Sequence, residues 1–577
     1  MNIVLINPYC LDQRLQDYDI KVPPIGVYYL AASLTQMGHS CHILNWYNLK
    51  DQKSLIEQEL KRLQPDITAI SILHANRWGG LDIARVSKRV FPHVPVVMGG
   101  PGATFLWQHL LKHFPELDLI VMGEGENTLT DLVTRFDSNQ SYDDLAGIAY
   151  RKNGVPVQNP PAPFIKDLDA LPDPAQFFSF QHVISSRGCP WNCSFCGSPR
   201  IWNRTVRFHS PDYFVTQLQR LRQKGQSFFY ISDDTFTLKK DRVISICQKI
   251  IDKGLDIEWA AISRVNIVDD EILYWMRRAG CIQISYGVES GSAKIRKKLN
   301  KNISDQEIQR AFELTRAYGI MPRAYFIYGN PGETKDTIKQ SARLMKRIKP
   351  LSAIFYILDI FPGTQLYEDF KKRTGVNDDI WLKRIEDIMY FETDPKLDGN
   401  AVLKYGRTLR KAFYSSLPDF ALNIQLKKLP ELAPYHASFL SRLGMTFIFG
   451  DYANIKEIPR KAQTAAKLFQ RALDYFPDHR AYLGLAILLQ QNGDHASAIT
   501  LLKEALRHFP KSPELHGCLG VSLMHTNNLE EALEVFLKFG SSAQNLRYAI
   551  ECAKRLGKIN LSSVLTQKLQ QLEATSK

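Results

Sequence analysis

Residues 189–196 read Cys-Pro-Trp-Asn-Cys-Ser-Phe-Cys, so the thiols of Cys189, Cys193 and Cys196 lie within eight residues. They follow a short apolar run, 183–186, which predicts a β-strand, and they therefore belong to a loop at the C-terminal end of that strand. Cysteine thiolates are the usual ligands of iron–sulfur clusters. Three of them bind three irons of a [4Fe–4S] cluster and leave the fourth iron open to a small molecule. We therefore predict that these cysteines are cluster ligands.

Two other uses of three close cysteines fit the chain less well. A structural zinc site needs a fourth ligand. His182 and His209 are near in sequence, but no second cysteine pair follows at zinc-finger spacing. A disulfide framework pairs an even number of cysteines, whereas this loop holds three and most of the other cysteines are isolated.

The spacing C-x3-C-x2-C, with the aromatic Phe195 directly before the last cysteine, resembles the signature of the radical S-adenosylmethionine (SAM) enzymes. In that family the open iron binds the amino and carboxylate groups of SAM, and an electron from the cluster cleaves SAM to a 5′-deoxyadenosyl radical. The resemblance implies that Cys189, Cys193 and Cys196 are both metal ligands and catalytic groups. It also implies an electron donor such as flavodoxin or ferredoxin.

The bulk composition favours a multidomain globular protein. A chain of 577 residues predicts about three or four domains of typical size. The start of the sequence lacks the basic stretch and long apolar core of a signal peptide. No uninterrupted apolar run reaches the roughly 18 residues of a membrane span. We therefore expect a cytoplasmic location, which also suits an oxygen-sensitive cluster.

The formal net charge of +14 permits a nucleic-acid or anionic-membrane partner. However, lysine and arginine are spread over helical faces, as in residues 294–298, and the chain has no long basic tail. This distribution favours a solvated basic surface. We expect no nucleic-acid partner, and a role in RNA modification lacks the basic stripe or added RNA-binding domain that would support it.

Residues 1–140 alternate predicted strands with predicted helices. The predicted strands are 3–6, 40–45, 67–72, 94–98 and 119–122. The predicted helices are 27–37, 54–63, 81–90, 105–113 and 128–136. This alternation predicts a parallel, flavodoxin-like sheet with helices on both faces and ligands beyond the C-terminal ends of the strands.

Two strand ends of this domain carry a further resemblance. Ser71 and Leu73 follow the third predicted strand, and Gly99 and Gly100 follow the fourth. Together they resemble the second and third motifs of cobalamin (B12)-binding domains. The resemblance implies that Ser71 meets the dimethylbenzimidazole tail and that the glycines make room for the nucleotide loop, since glycine lets backbone approach a bulky ligand.

The beginning of the domain adds to this resemblance and also departs from it. Residues 23–32, Pro-Pro-Ile-Gly-Val-Tyr-Tyr-Leu-Ala-Ala, resemble the opening of cobalamin-type radical SAM proteins. The D-x-H-x-x-G motif, whose histidine ligates cobalt, is absent from the loop after the first strand. We therefore expect cobalamin to bind base-off, without a protein histidine on cobalt. His74 lies in the wrong loop for that ligand and is expected to be structural or polar lining.

Residues 141–180 form a predicted connector. Residues 147–157 predict a β-hairpin with Asn153-Gly154 at its turn. The prolines that follow predict a stiff, extended linker. Residues 167–172 resemble the link that precedes the radical domain in the same group of proteins.

Residues 181–400 resume the strand–helix alternation and predict a partial (β/α)6 barrel, with its active site at the C-terminal ends of the strands. The strand at 228–231 leads to Asp233 and Asp234, in the place of the family's acidic motif that holds the SAM amino group. A carboxylate suits an ammonium group, and either aspartate serves, with Asp234 slightly favoured. The alternative is that both aspartates only cap the next helix.

Later strand ends supply the other predicted SAM contacts. Arg264 follows the strand at 259–263 and is expected to pair with the SAM carboxylate, unless it is an ordinary surface arginine. Glu289 and Ser290 stand in a Gly-x-Glu-Ser-Gly strand end, and by resemblance they approach the methionine or ribose part of SAM. Residues 325–334 resemble the fifth-strand segment that packs against adenine.

The rest of the chain is predicted to be helical. Residues 401–455 form a helical extension, and residues 456–577 contain an internal repeat. Alanine and proline recur at matched positions, as in Ala472 with Pro477 and Ala505 with Pro510. The period of about 33–34 residues resembles the tetratricopeptide repeat. Such arrays bind peptides or partner proteins, although two to three units also suffice for a cap on the enzyme.

Two enzyme chemistries fit the predicted cofactors, which are a [4Fe–4S] cluster, SAM and cobalamin. The first is methyl transfer to an unactivated carbon or phosphorus centre, with a second SAM restoring the methyl group on cobalt. The second is oxidative cyclisation of the anaerobic magnesium-protoporphyrin monomethyl ester cyclase type. The expected substrate is a small molecule, such as a natural product, lipid or tetrapyrrole. A non-catalytic scaffold or sensor with a structural cluster is the alternative of another class.

Overall fold

The computed structural model describes residues 1–12, 21–538 and 542–575. They form two compact units. The first contains Met1–Ala311, Arg323–Arg347 and Ala353–Leu409, and the second contains Phe312–Pro322, Ile348–Ser352 and Arg410–Lys577. Among the described residues, no helix is both long enough and apolar enough to cross a membrane.

The first unit begins with a seven-stranded sheet in the order β2-β1-β3-β4-β5-β6-β7. Its strands are β1 (Asn2–Asn7), β2 (Ser40–Asn45), β3 (Ile67–Ser71), β4 (Val96–Gly99), β5 (Leu119–Val121), β6 (Ile148–Lys152) and β7 (Val155–Gln158). Its helices are α1 (Ile25–Gln36), α2 (Lys53–Leu63), α3 (Arg77–Val90), α4 (Pro101–His113) and α5 (Glu126–Asp137). Strands β1 to β5 are parallel. The predicted doubly covered sheet is therefore confirmed.

The burial pattern of β1 is typical of a strand in a parallel sheet that helices cover on both faces. Alternate residues of β1 enter different cores: Ile3 and Leu5 pack with α1 and α5, whereas Val4 and Ile6 pack with α2, α3 and α4. A strand that is buried on both faces needs a continuous apolar run, and β1 has one. The strand order reverses between β1 and β3, which opens a crevice at the C-terminal ends of the strands.

The predicted hairpin belongs to this sheet. Strand β6 pairs antiparallel with β5 and then with β7. Asn153 and Gly154 both have positive φ, 53° and 80°, as the tight turn requires. The sequence placed the hairpin in the connector, but its pairing extends the first sheet because the last parallel strand, β5, would otherwise have an open edge.

The second sheet has six strands in the order β15-β14-β13-β12-β11-β8. Its strands are β8 (His182–Val183), β11 (Phe228–Ile231), β12 (Glu258–Ser263), β13 (Cys281–Glu289), β14 (Met321–Tyr328) and β15 (Ser352–Ile357). Short strands outside it are β9 (Ser186–Arg187), β10 (Arg207–Phe208), β16 (Asp359–Ile360) and β17 (Ile388–Met389). Neighbours in the sheet are neighbours in the chain, which confirms the predicted (β/α)6 arrangement.

Helices of this part of the chain connect the strands. They are α6 (Ser198–Ile201), α7 (Pro211–Gln223), α8 (Lys240–Asp252), α9 (Asp270–Arg278), α10 (Ala293–Lys298), α11 (Asp305–Ala317), α12 (Lys335–Ile348), α13 (Gln365–Thr374) and α14 (Tyr390–Thr393). The predicted strand 183–186 is split into β8 and β9. The reason is that the carboxylate of Asp233 accepts the N–H of Ser185 at 2.6 Å and so interrupts the ladder.

The remaining helices follow the second sheet. They are α15 (Gly399–Leu422), α16 (Ala433–Ile448), α17 (Lys461–Leu473), α18 (His479–Gln491), α19 (His495–His508), α20 (Pro513–His525), α21 (Leu529–Lys538), α22 (Ala543–Arg555) and α23 (Ile559–Thr575). Small residues mark the helix contacts. A Cβ on Gly520 would lie 2.5 Å from the ring of Phe536, and one on Gly484 would lie 2.4 Å from the ring of Phe469.

Candidate active site

A cavity of about 310 Å³ lies beyond the C-terminal ends of the first sheet's strands and reaches the loop after β9. The first sheet contributes all four predicted cobalamin contacts, which are Ser71, Leu73, Gly99 and Gly100. The loops after β9 and β11 contribute Gly188, next to Cys189, and Asp234. Residues predicted for two different cofactors therefore line one cavity.

The cavity wall fits a bulky ligand. A Cβ on Gly99 would meet no protein atom closer than 3.4 Å, and one on Gly123 would meet none within 4 Å. Gly99 therefore keeps the cavity open rather than relieving a contact within the protein, whereas Gly123 has a φ of +68°, which by itself favours glycine. The hydroxyl of Ser71 makes no hydrogen bond with the part of the chain that the structure describes, which leaves it available to a ligand.

Gly100 also lines the cavity, and its backbone conformation gives a second reason for glycine at this position. Its φ is +90°, and a Cβ there would lie 2.6 Å from the carbonyl oxygen of Ile72. Only glycine adopts this conformation readily. Gly100 is therefore required by the turn between β4 and α4, whichever ligand the cavity takes.

Hydrogen bonds to later parts of the chain hold the cysteine loop. The N–H of Ser194 donates to the carbonyl of Leu299 at 3.0 Å, and its carbonyl accepts from Leu366 at 3.1 Å. The side-chain amide of Asn300 donates to the carbonyl of Asn192 at 2.6 Å. None of Cys189, Cys193 and Cys196 forms a disulfide. The loop therefore presents three unpaired thiols on a fixed backbone.

A buried arginine lies beside these thiols. Nη1 of Arg264 is 4.0 Å from Sγ of Cys193, and the guanidinium lies 4.6 Å above the ring of Trp191. Burial raises the pKa of the Cys196 thiol to about 12, so a positive charge and a metal are what favour the thiolate form here. Three sulfur donors next to a cation fit the predicted iron–sulfur cluster.

The two aspartates differ in their surroundings. Asp233 is buried, and its carboxylate accepts hydrogen bonds from the hydroxyls of Ser185 and Ser186, each at 2.6 Å, besides the N–H of Ser185. Asp234 accepts a hydrogen bond from the hydroxyl of Ser198 at 2.8 Å and lines the cavity. The geometry therefore favours Asp234 as the carboxylate that faces a ligand, and the choice between the two aspartates stays a prediction.

The other predicted SAM contacts do not line this cavity. Glu289 ends β13 with a φ of +63° and forms an ion pair with Lys301 at 2.9 Å, with both side chains almost buried. The hydroxyl of Ser290 lies 3.4 Å from that of Ser341. A positive φ outside glycine costs about 1–3 kcal/mol and is common at functional sites. Arg264, Glu289 and Ser290 remain predictions.

A buried charge network next to the cavity had no place in the sequence analysis. Arg187 donates to Glu124 at 2.6 Å and to Glu126 at 2.7 Å, and Arg207 also donates to Glu124 at 2.6 Å. The strand end at 123–126 was visible in the sequence. Its partners lie more than 60 residues away in the chain, so no local pattern could pair them.

The loop after β14, which resembles the adenine segment, is closed by Glu333. Its carboxylate accepts hydrogen bonds from the N–H groups of Gly329 and Asn330 and from the Asn330 amide. Glu333 is only 4% exposed. Burial raises the pKa of Glu333 to about 7, although these hydrogen bonds favour the charged form.

We expect the variant Glu333→Gln to gain stability relative to the unsubstituted protein as the pH rises from about 4.5 to about 7. In that window the unfolded carboxyl group has lost its proton while the folded one keeps it. The free energy of unfolding of the unsubstituted protein therefore falls by up to about 3 kcal/mol across this window. That of the variant does not fall in this way, because glutamine does not titrate. Unfolding midpoints of both proteins across this window test the prediction. A difference that is constant with pH would contradict it.

Comparisons with known proteins identify three families in this chain. Residues 183–345 match the family model described as radical SAM superfamily, and residues 16–133 match the B12 binding domain. Residues 460–513 and 483–545 match the tetratricopeptide repeat. The three parts lie in the order that the sequence predicts.

Two curated relatives and one solved structure cover most of these parts. The chain is 31% identical over 429 residues to "Uncharacterized methyltransferase PH0819" of Pyrococcus horikoshii, covering 72% of this chain and 92% of that protein. It is 28% identical to the anaerobic magnesium-protoporphyrin IX monomethyl ester cyclase of Cereibacter sphaeroides, covering 62% of this chain and 61% of that protein. The structure of OxsB with aqua-cobalamin and SAM bound shares the fold, with a TM-score of 0.57 and 17% identity. The match covers 99% of this chain and 83% of that chain.

The chain belongs to the radical SAM superfamily, in the group whose members carry a B12-binding domain. It is a radical SAM enzyme with C-terminal tetratricopeptide repeats, and its cofactors are a [4Fe–4S] cluster, SAM and cobalamin. The alternative prediction of a non-catalytic scaffold is therefore wrong.

Proposed function

We propose that this enzyme transfers a methyl group to an unactivated carbon or phosphorus centre of a small organic substrate. The observation that carries the proposal is the shared cavity, in which Ser71 and Gly99 face the same space as Asp234 and Gly188. The similarity to a protein named as a methyltransferase supports the same chemistry.

The chain's own residues divide the work. Cys189, Cys193 and Cys196 would hold the cluster, and Asp234 would bind the ammonium group of SAM. Ser71 and Gly99 would face cobalamin. When bound, the cluster with SAM supplies a 5′-deoxyadenosyl radical and cobalamin supplies the methyl group.

The cavity walls protect such a reaction. Apolar side chains of the first sheet and its helices, with Ile184, Ile201 and Trp202, dominate the lining, and the charged Arg187 in the wall pairs with Glu124 and Glu126. An apolar wall excludes water, which keeps a reactive species from side reactions. These residues would therefore orient the reactants and keep the site dry.

Oxidative cyclisation is the second candidate, supported by the similarity to the magnesium-protoporphyrin ester cyclase. The two reactions differ in their use of SAM. Methyl transfer consumes a second SAM, so S-adenosylhomocysteine and 5′-deoxyadenosine should form in about equal amounts. Cyclisation should form 5′-deoxyadenosine without S-adenosylhomocysteine.

The experiment uses anaerobically reconstituted enzyme with cobalamin, a strong reductant and SAM carrying a deuterated methyl group. Natural-product, lipid and tetrapyrrole candidates are added in turn. A product that gains the labelled methyl group, with matched S-adenosylhomocysteine, supports methyl transfer. A product that gains no label and forms without S-adenosylhomocysteine would replace our proposal with cyclisation.

The assignment of Asp234 has its own test. Asp234→Asn should weaken SAM binding by about 10- to 100-fold, because a charge-assisted hydrogen bond contributes about 1.5–3 kcal/mol. Its unfolding midpoint should stay near that of the unsubstituted protein. Asp233→Asn should do the reverse, lowering the midpoint and leaving SAM affinity nearly unchanged in the folded fraction. Equilibrium dialysis with SAM and no reductant measures the affinities, and the opposite pattern would show that Asp233 holds SAM.

Two partners complete the proposal. A one-electron donor such as flavodoxin or ferredoxin would reduce the cluster. The tetratricopeptide repeats, matched at 460–513 and 483–545, would bind a partner protein, since arrays of this kind present extended binding surfaces.

A further inference from the structure

Three side chains of metal-ligating type meet outside the cavity. His109 and His113 lie on α4, and Asp379 lies on the short 3-10 helix Asp378–Leu382. Their ligand atoms all lie within 4.8 Å of one another. Nε2 of His113 is 2.8 Å, and Nδ1 of His109 is 3.4 Å, from the same carboxylate oxygen of Asp379. Both imidazoles therefore converge on one point.

Local structure explains this convergence. Residues four apart on a helix lie on the same face, so His109 and His113 project together. Asp379 reaches them from a turn whose backbone is fixed: its N–H donates to the side chain of Asn377 at 2.9 Å, and the neighbouring Trp381 is fully buried. The geometry is thus set by the fold and not by a mobile side chain alone.

His109 is the group that this arrangement leaves incomplete. Its side chain is only 2% exposed, and neither ring nitrogen has a hydrogen-bond partner among the residues that the structure describes. A buried polar group without a partner costs about 1–3 kcal/mol. Its 3.4 Å contact with Asp379 is long for a hydrogen bond, so a metal ion would give His109 the partner that it lacks.

We propose that His109, His113 and Asp379 bind a divalent transition metal, with Zn²⁺ as the best fit and an open fourth position. Two imidazoles and one carboxylate suit zinc, and tetrahedral ligation at about 2.0–2.1 Å places ligand atoms about 3.3 Å apart. The observed separations of 2.8 and 3.4 Å bracket that value. Calcium and magnesium prefer all-oxygen sites.

The metal would join α4, which covers the first sheet, to the segment that follows the second sheet. The same segment already contacts the first sheet's helices, since Arg384 pairs with Asp82 of α3 at 2.6 Å. Lys112 opposes the metal, because its ammonium lies 3.8 Å from the other oxygen of Asp379. The metal would therefore link two parts of the first unit. Removing the ammonium group of Lys112 should increase the affinity for the metal.

The test titrates Zn²⁺ into full-length protein with its cluster already reconstituted. Elemental analysis after gel filtration should find about one zinc per chain, with the iron content unchanged. His109→Ala and His113→Ala should weaken zinc binding by more than about 100-fold, because even partners outside the ligand set commonly contribute 10- to 100-fold. Lys112→Ala should bind zinc more tightly. The exposed His93, changed to Ala, is the matched control and should behave like the unsubstituted protein.

Unfolding gives a second readout. Zinc should raise the unfolding midpoint of the unsubstituted protein and of His93→Ala, since a ligand that binds only the folded state stabilises it. It should not raise that of Asp379→Asn, a variant at a partly exposed position that should fold. The proposal is overturned if the unsubstituted protein takes up no zinc. It is also overturned if His109→Ala and Asp379→Asn retain the same zinc, which would then be held elsewhere.

Discussion

Cys193→Ala is expected to yield a folded protein that neither assembles an intact cluster nor cleaves SAM. With two of three thiolates left, one iron loses its ligand, so iron should fall from about four per chain to below about one. The amount of 5′-deoxyadenosine formed with SAM and a strong reductant should fall to background. The loop backbone should persist, since its hydrogen bonds come from Leu299, Asn300 and Leu366.

The matched control is Cys518→Ala, a half-buried cysteine on α20 in the repeats. It should keep full iron content and full SAM cleavage. Iron analysis, cluster absorbance and chromatography of the nucleoside product measure both variants. An intact, active cluster in Cys193→Ala would show that the three-thiol assignment is wrong.

Arg187→Met is expected to destabilise the first unit by about 3–5 kcal/mol, as breaking a buried ion pair from one side does. Glu126 would lose the arginine that binds it, and Glu124 would keep only Arg207 and the N–H of Ile165. Burial by itself raises the pKa of Glu124, but Arg207 and Arg187 hold it below its ordinary value. Removing Arg187 therefore takes a cation away from a buried acidic pair.

Adding Glu126→Gln to Arg187→Met should recover part of the lost stability, because it removes the unpaired charge. Arg62→Met is the control: Arg62 pairs with Glu59 at 2.8 Å on an exposed surface, where such pairs contribute little. Denaturant unfolding, followed by a probe within residues 1–311, measures all three. Equal midpoints for Arg187→Met and Arg62→Met would contradict the prediction.

Much of the fold could be predicted because its signals are local. The apolar run of β1 and the strand–helix alternation indicated a parallel sheet, and the order of strand ends indicated the second one. The hairpin with Asn153-Gly154 was also predicted from its turn. Its membership of the first sheet was not, because strand pairing depends on an open edge that a sequence does not display.

The sequence offered little basis for choosing between neighbouring residues of the same type. Asp233 and Asp234 are adjacent and chemically identical, so residue type could not separate them. Their surroundings in the fold differ: Ser185 and Ser186 donate hydrogen bonds to the carboxylate of Asp233, while Asp234 lines the cavity. The partners of Arg187 were hidden for a similar reason, since a buried ion pair joins residues that only the folded chain brings together.

By itself the sequence determined the family and the cofactors of this protein, because three thiols at close spacing and glycine-rich strand ends are recognised from residue type and local order. The tertiary structure alone decided which of these residues share a space. It brings Ser71, Gly99 and Asp234 to one cavity, and His109, His113 and Asp379 to one point. The physical reason is that ligand binding requires atoms within a few ångströms, and only the packing of the two sheets sets those distances.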